Sequence, residues 1–140
     1  MGLKYSDTVR VAWGDCDPAN IVFYPNYFRW FDIGSHTLFR EAGYPPDIIL
    51  DEFGVVGMPL VHAEADFRGP ARFADILTVE SQVSKIEGKR IYLAHAITNN
   101  GQPIIFGLEI RVLVIEVTES EPRLKSIPIP ESVQKVLLEL

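Results

Sequence analysis

Val9, Val11 and Trp13 alternate with Arg10 and Ala12, the two-residue period of a strand with one buried face. The pattern then changes to a helical one. Pro25 in Tyr24-Pro25-Asn26-Tyr27 suits the first position of a helix and turns Tyr24 out of it. Over residues 27–42 the side chains of Tyr27, Trp30, Phe31, Leu38 and Ala42 share one face with Gly34, while Arg29, His36 and Arg40 lie opposite. Gly43 follows at the C-cap. A glycine within a helix costs about 1 kcal/mol relative to alanine, so Gly34 predicts a close backbone approach to a sheet. Period-two alternation returns over residues 60–67, 76–86 and 90–98, and Asn100-Gly101 predicts a tight hairpin turn into a further strand over residues 103–117. Tyr44-Pro45-Pro46 and Glu119-Ser120-Glu121-Pro122 mark turns. Ile127-Pro128-Ile129-Pro130 can serve only as an edge or connector, and residues 131–140 predict a short terminal helix. One long apolar helix followed by an antiparallel meander predicts an α+β fold, with the helix on the concave face of a curved sheet of about five strands.

The 140 residues are enough for a single domain, expected to span residues 1–140, and 47% hydrophobic content supplies its core. Thirteen Lys plus Arg against 19 Asp plus Glu give a net charge of -6. That balance provides no basic footprint for nucleic acid or an anionic membrane. The most apolar run, residues 104–117, is interrupted by Glu109, Arg111 and Glu116 and is too short to span a bilayer, so it predicts a buried strand. The start MGLKYSDTVRV has no long apolar stretch, and Cys16 is the one cysteine. Both features lead to the expectation of a cytoplasmic protein.

The candidate chemistry centres on the loop before the long helix, where Asp15 and Asp17 flank Cys16 and Pro18 follows. A helix N-terminus offers free N–H groups and partial positive charge to a carbonyl oxygen that is gaining negative charge. A nearby carboxylate can attack that carbonyl or activate water. The same aspartates also suit a purely structural turn. Cys16 has no histidine near it in sequence to activate it as a nucleophile. His62, Glu64 and Asp66 alternate along one strand face, a spacing open to a metal but more often a solvent or subunit face. His95 shares a strand face with Ile91, Leu93 and Ile97, as a satisfied core or interface histidine does.

Residues 14–32, GDCDPANIVFYPNYFRWFD, closely resemble the GDCDPAxIVxYPNYxRWxD signature of hot-dog fold acyl-CoA thioesterases of the 4-hydroxybenzoyl-CoA thioesterase family. Residues 70–79, PARFADILTV, resemble the PAxxxDxLxV turn of many hot-dog thioesterases. Gly88-Lys89-Arg90 falls where aryl-CoA members carry a basic cluster that meets the CoA phosphates, although the pair also suits a solvated turn. The resemblance implies a hot-dog fold and acyl-CoA hydrolysis with Asp17 as nucleophile or general base, while the Tyr24 N–H polarises the thioester carbonyl. It implies no metal and no cofactor beyond the CoA of the substrate, and a homodimer or homotetramer with the site between subunits. Asp32 lies about 140° from Tyr27 on the helical wheel, beside Phe28 and Phe39. By resemblance it would accept a hydrogen bond from a phenolic hydroxyl of the acyl group, in a pocket walled by Phe28, Trp30 and Phe31. The charged face of His62, Glu64 and Asp66 departs from the smaller, uncharged residues of the aryl-CoA branch. Asp32 and His36, four apart, form either a surface ion pair or the Asp and His of a hot-dog enoyl-CoA hydratase. A non-catalytic acyl-CoA-binding module would use the same pocket without turnover.

Overall fold

Pro25 begins the longest helix, α1 (Pro25–Glu41), and the chain is built around it. In the computed structural model, residues 2–118 and 122–139 are described. Strand β1 (Lys4–Arg10) precedes α1, and a short helix α2 (Pro46–Phe53) follows it. Then come β2 (Leu60–Phe67), β3 (Ile76–Glu87), β4 (Arg90–Asn99), β5 (Gln102–Arg111), β6 (Leu113–Thr118), β7 (Pro122–Ile127) and α3 (Glu131–Leu137). Five strands form one antiparallel sheet in the order β1-β3-β4-β5-β2, while β6 and β7 make a separate hairpin. This is the helix-and-curved-sheet arrangement that the period of the sequence predicts. Among the described residues, no helix is long and apolar enough to cross a membrane.

The core has two clusters, one at each end of α1. Near its start, Tyr27, Trp30 and Phe31 pack on Leu77, Val79, Ile97 and Ile105. Near its end, Leu38 and Phe39 pack with Leu93 and Leu113, and with Val133 and Leu137 of α3. Between them the helix approaches the sheet too closely for side chains on both surfaces. A Cβ at Gly34 would collide with Ser81 Oγ, and one at Gly107 on β5 would collide with the Phe31 ring. Ser81, His95 and Gly107 are cross-strand partners on β3, β4 and β5, so one row of the sheet receives the middle of the helix.

Several boundaries differ from the alternation pattern. Trp13 lies outside β1, in a 3-10 turn over Trp13–Asp15, and is 74% exposed. The turn forms because the Asp15 carboxylate accepts the Ala12 N–H at 2.8 Å while the Asp15 N–H donates back to the Ala12 carbonyl. The apolar run 103–117 is two strands rather than one. Beyond Arg111 the chain leaves β4 and exchanges backbone hydrogen bonds with the segment around Gly57 and Pro59. Helix α2 starts within the Tyr44-Pro45-Pro46 turn and ends at Gly54, whose φ of +67° suits a left-handed cap. Asn100 and Gly101 both take positive φ, as a tight hairpin turn requires. The connector around Ile127 is preceded by β7, a strand whose Pro122, Arg123 and Lys125 obscure its alternation. Residues 119–121 of the expected turn lie outside the described residues, as does the last residue of the expected terminal helix.

Candidate active site

The loop before α1 folds back on itself, and the Cys16–Val22 pair forms a single antiparallel bridge. Asp15 and Asp17 part company here. Every polar face of Asp15 is engaged. Its carboxylate accepts from the Ala12 N–H at 2.8 Å and from Arg29 at 3.2 Å, and its carbonyl accepts from the Phe23 N–H and the Asn26 side chain. Asp17 uses one carboxylate oxygen to accept the Ala19 N–H at 2.9 Å, and its backbone closes the loop to Asn20 and Ile21. Its other oxygen has no partner among the described residues. The half-buried side chain lines an open cavity of about 350 Å³ with Trp13, Cys16, Pro18 and Asn20.

Pro25 at the first helical position shapes the donor side of the site. It has no N–H, Asn26 N–H is spent on the Phe23 carbonyl at 3.0 Å, and Tyr27 N–H is spent on the Tyr24 carbonyl at 3.1 Å. The Tyr24 N–H has no acceptor among the described residues, so it is the donor that the helix start leaves available. A carboxylate with a free oxygen and a free N–H thus belong to one loop, braced by Asp15.

The other candidate residues are distributed more widely. Asp32 lies two turns along α1, about 12 Å from Tyr24 at the helical rise per residue. Phe28 is half-buried against Phe31, with ring centroids 5.7 Å apart, and Phe31 is fully buried and stacked on the His95 ring at 4.7 Å. Trp30 is a core residue, edge-on to Tyr27 at 5.5 Å, and it lines a separate small cavity with Tyr5, Val9 and Val79. Lys89 and Arg90 line a third, open cavity of about 580 Å³ with Glu87, Tyr92 and Val112, and Lys89 Nζ donates to the Ser126 carbonyl at 3.3 Å. Asp17 and Tyr24 thus belong to the one loop before α1, whereas Asp32 lies on α1 and Lys89 and Arg90 lie where β3 turns into β4. Cys16 has no histidine or carboxylate among its hydrogen-bond partners and faces the Ala12 carbonyl at 3.8 Å. His62 pairs with Glu64 and Asp66 with Arg68, each at 2.8 Å on an exposed face. His36 and Asp32 meet at 3.4 Å on the surface of α1.

A buried polar network beneath α1 contains His95, satisfied in the core as expected, but joins it to residues the sequence reading did not connect. Ser35, Ser81, His95, Glu109 and Arg111 are all nearly inaccessible. The Glu109 carboxylate accepts from the Ser35 hydroxyl, from His95 Nε2 at 3.2 Å, and from Arg111 Nε and Nη2 at 3.2 and 3.1 Å. Burial alone would raise the Glu109 pKa. The hydrogen bonds from His95 and Arg111, the Arg111 charge and the Ser35 hydroxyl outweigh burial and hold it at about 2. With Glu109 ionised, His95 donates from Nε2, while its Nδ1 pairs with the Ser81 hydroxyl at 2.8 Å. The available signal was spacing: Ile105, Gly107, Glu109 and Arg111 fall two apart on the face of β5 that meets the helix. Opposite charges at the last two positions mark an ion pair in the core.

A family model described as the thioesterase-like superfamily matches residues 11–137. The 4-hydroxybenzoyl-CoA thioesterase of Pseudomonas sp. (strain CBS-3) is 35% identical over 127 residues, covering 86% of this chain and 88% of that protein. Its three-dimensional structure superposes with a TM-score of 0.88 at 33% identity, covering 96% of this chain and 99% of the other. The D17N mutant of a 4-hydroxybenzoyl CoA thioesterase, complexed with 4-hydroxybenzoyl CoA, superposes with a TM-score of 0.87 at 32% identity, over 96% and 98% of the two chains. A gentisyl-coenzyme A thioesterase superposes with a TM-score of 0.80 at 34% identity, over 92% and 98%. With the family model spanning residues 11–137 and these relatives covering most of both chains, the chain belongs to the thioesterase-like superfamily and has the hot-dog fold.

Proposed function

We propose that this chain hydrolyses a hydroxylated aryl-CoA thioester to the free acid and CoA, with Asp17 and the Tyr24 N–H as the reacting groups. It is an acyl-CoA thioester hydrolase, as its relatives are. The observation that carries the residue assignment is the division of labour in the loop: Asp15 is fully engaged in structure, whereas Asp17 keeps a free oxygen in the same loop as an unused helix-start N–H.

In this reading the thioester carbonyl oxygen accepts the Tyr24 N–H, and the partial positive charge of the helix start stabilises the oxyanion. Asp17 either attacks the carbonyl carbon or takes a proton from the water that does. Collapse of the tetrahedral intermediate breaks the C–S bond and releases CoA thiolate, which leaves without a strong general acid. In the first route, water then cleaves the acyl-aspartyl anhydride and regenerates the carboxylate. The chemistry needs no cofactor beyond the CoA of the substrate. Asp32 accepts a hydrogen bond from the ring hydroxyl, Phe28 and Trp30 border the aryl pocket, and Lys89 and Arg90 meet the CoA phosphates. The named substrates of the most similar relatives, 4-hydroxybenzoyl-CoA and gentisyl-CoA, support an aryl group with a hydroxyl. The protein acts in the cytoplasm as a homodimer or homotetramer. The open edge of β2, with Val61 and Phe67 exposed along it, supports association.

Thiol release from a panel of aryl-CoA and aliphatic acyl-CoA thioesters tests this reading, with wild type beside Asp17→Asn. Release favouring hydroxylated aryl groups and collapsing in the variant is expected. Full turnover by Asp17→Asn would overturn the assignment. Binding without release of thiol would instead favour a non-catalytic acyl-CoA-binding module. After a single turnover in oxygen-18 water, label in Asp17 identifies the anhydride route, and label confined to the product acid identifies activated water.

A further inference from the structure

Folding by itself does not account for the charges beneath α1, because a buried ion pair is often no more stabilising than apolar residues of similar volume. The geometry of Arg111 gives them a direction. Its guanidinium is held on three sides: Nη1 donates to the Met58 carbonyl at 2.9 Å, Nε to Glu109 Oε1 at 3.2 Å, and Nη2 to Glu109 Oε2 at 3.1 Å. Glu109 is itself pinned by Ser35 from the helix and by His95 from β4. The one carboxylate through which this cluster reaches solvent is Asp32, whose Oδ1 accepts from Arg111 Nη2 at 2.7 Å. The Asp32 side chain is 47% exposed and that of Arg111 4%. A surface aspartate ordinarily exchanges rotamers freely, but here a buried, immobile fork grips one oxygen, and His36 stands 3.4 Å from the other.

We propose that Arg111 is a positioning residue that, clamped by Glu109, holds the Asp32 carboxylate in one orientation to recognise a hydrogen-bond donor on the acyl group. The inference rests on the reading that Asp32 meets the acyl group, and it adds which buried residues set that selectivity. Glu109 neutralises Arg111 within the core, so the guanidinium stays buried and keeps its grip on one oxygen while the exposed face of Asp32 meets the substrate. Arg111 never touches the substrate. Its influence on turnover is therefore confined to discrimination and passes through Asp32.

The test is steady-state thiol release from 4-hydroxybenzoyl-CoA and benzoyl-CoA by wild type, Arg111→Gln, Arg111→Lys, Asp32→Asn and the Asp32→Asn/Arg111→Gln double variant. Wild type is expected to favour the hydroxylated substrate in kcat/KM. Arg111→Gln should reduce that ratio about tenfold, the scale of one hydrogen bond to a charged group. The loss should fall on KM for the hydroxylated substrate, with a much smaller change in kcat for benzoyl-CoA. Arg111→Lys keeps the charge beside Glu109 but lacks the two-pronged grip, so it should fold and also lose part of the preference. Adding Arg111→Gln to Asp32→Asn should leave the ratio where Asp32→Asn alone puts it. Equal losses on both substrates, an unchanged ratio in Arg111→Lys, or a further fall in the double variant would each overturn the positioning role. The absence of any preference in wild type would instead overturn the underlying reading of Asp32, before any variant is compared.

Discussion

Two aspartates two residues apart differ because one of them has spent its hydrogen-bonding capacity. The Asp15 carboxylate holds Ala12 and Arg29 while its carbonyl holds Phe23 and Asn26, so Asp15→Ala, which removes the first two bonds only, should lower thermal stability by about 1 to 2 kcal/mol. Asp17→Asn should instead leave the melting temperature nearly unchanged while thiol release falls on the order of 10²- to 10⁴-fold. Turn chemistry alone does not separate the pair, since both sit in the same loop beside Cys16; the family signature singles out Asp17. Glu109 makes a further residue-level prediction. Its folded pKa of about 2 lies below the ordinary 4.5, so it contributes stability that is complete above about pH 4.5 and is lost as the pH falls towards 2. Urea midpoints measured through that range should fall more steeply for wild type than for Glu109→Gln. Arg111→Ala, which strands the Glu109 carboxylate in the core, should cost about 3 to 5 kcal/mol by the same measurement at neutral pH.

At the scale of elements, the hot-dog arrangement depends on how closely α1 can lie on the sheet. Gly34 and Gly107 are the two points of approach, one on each surface. Gly34→Ala drives a methyl group into Ser81 Oγ, which His95 holds in place, and Gly107→Ala drives one into the Phe31 ring. Each should destabilise the fold by about 1 to 3 kcal/mol, seen as a melting temperature lowered by several degrees. Gly34 was legible in the sequence, because a glycine in the middle of an otherwise strong amphipathic helix requires a reason. Gly107 was not, since a glycine in an apolar run carries no such contradiction. The same limit explains the missed α2 and β7. Eight residues starting in a proline turn and six residues opening on proline are too short for a period to assert itself over their turn chemistry.

Among the described residues the five-stranded sheet ends at β1 on one side and at β2 on the other, each paired with a single strand. Strand β2 pairs with β5 on one side only, and Val61 and Phe67 are exposed on it. Sedimentation velocity should therefore find at least a dimer, and Val61→Asp combined with Phe67→Asp should shift the distribution towards monomer and lower thiol release with it. A monomeric wild type with full turnover would rule out a shared site.

The sequence by itself determined the long helix, its start at Pro25, the β3-β4-β5 meander and the GDCDPA loop, because each rests on local chemistry: ring constraints, turn residues and periods of 2 and 3.6. It also led to the family, since nineteen consecutive residues matched a single signature. The tertiary structure alone decided which aspartate is free, that β2 pairs with β5 rather than with its neighbour β3, and where the 103–117 run divides. It also revealed the chain of contacts from Ser81 through His95, Glu109 and Arg111 to Asp32. Those contacts join residues up to 79 positions apart. No local period encodes them, because they exist only once α1 lies across three strands and its partners face one another.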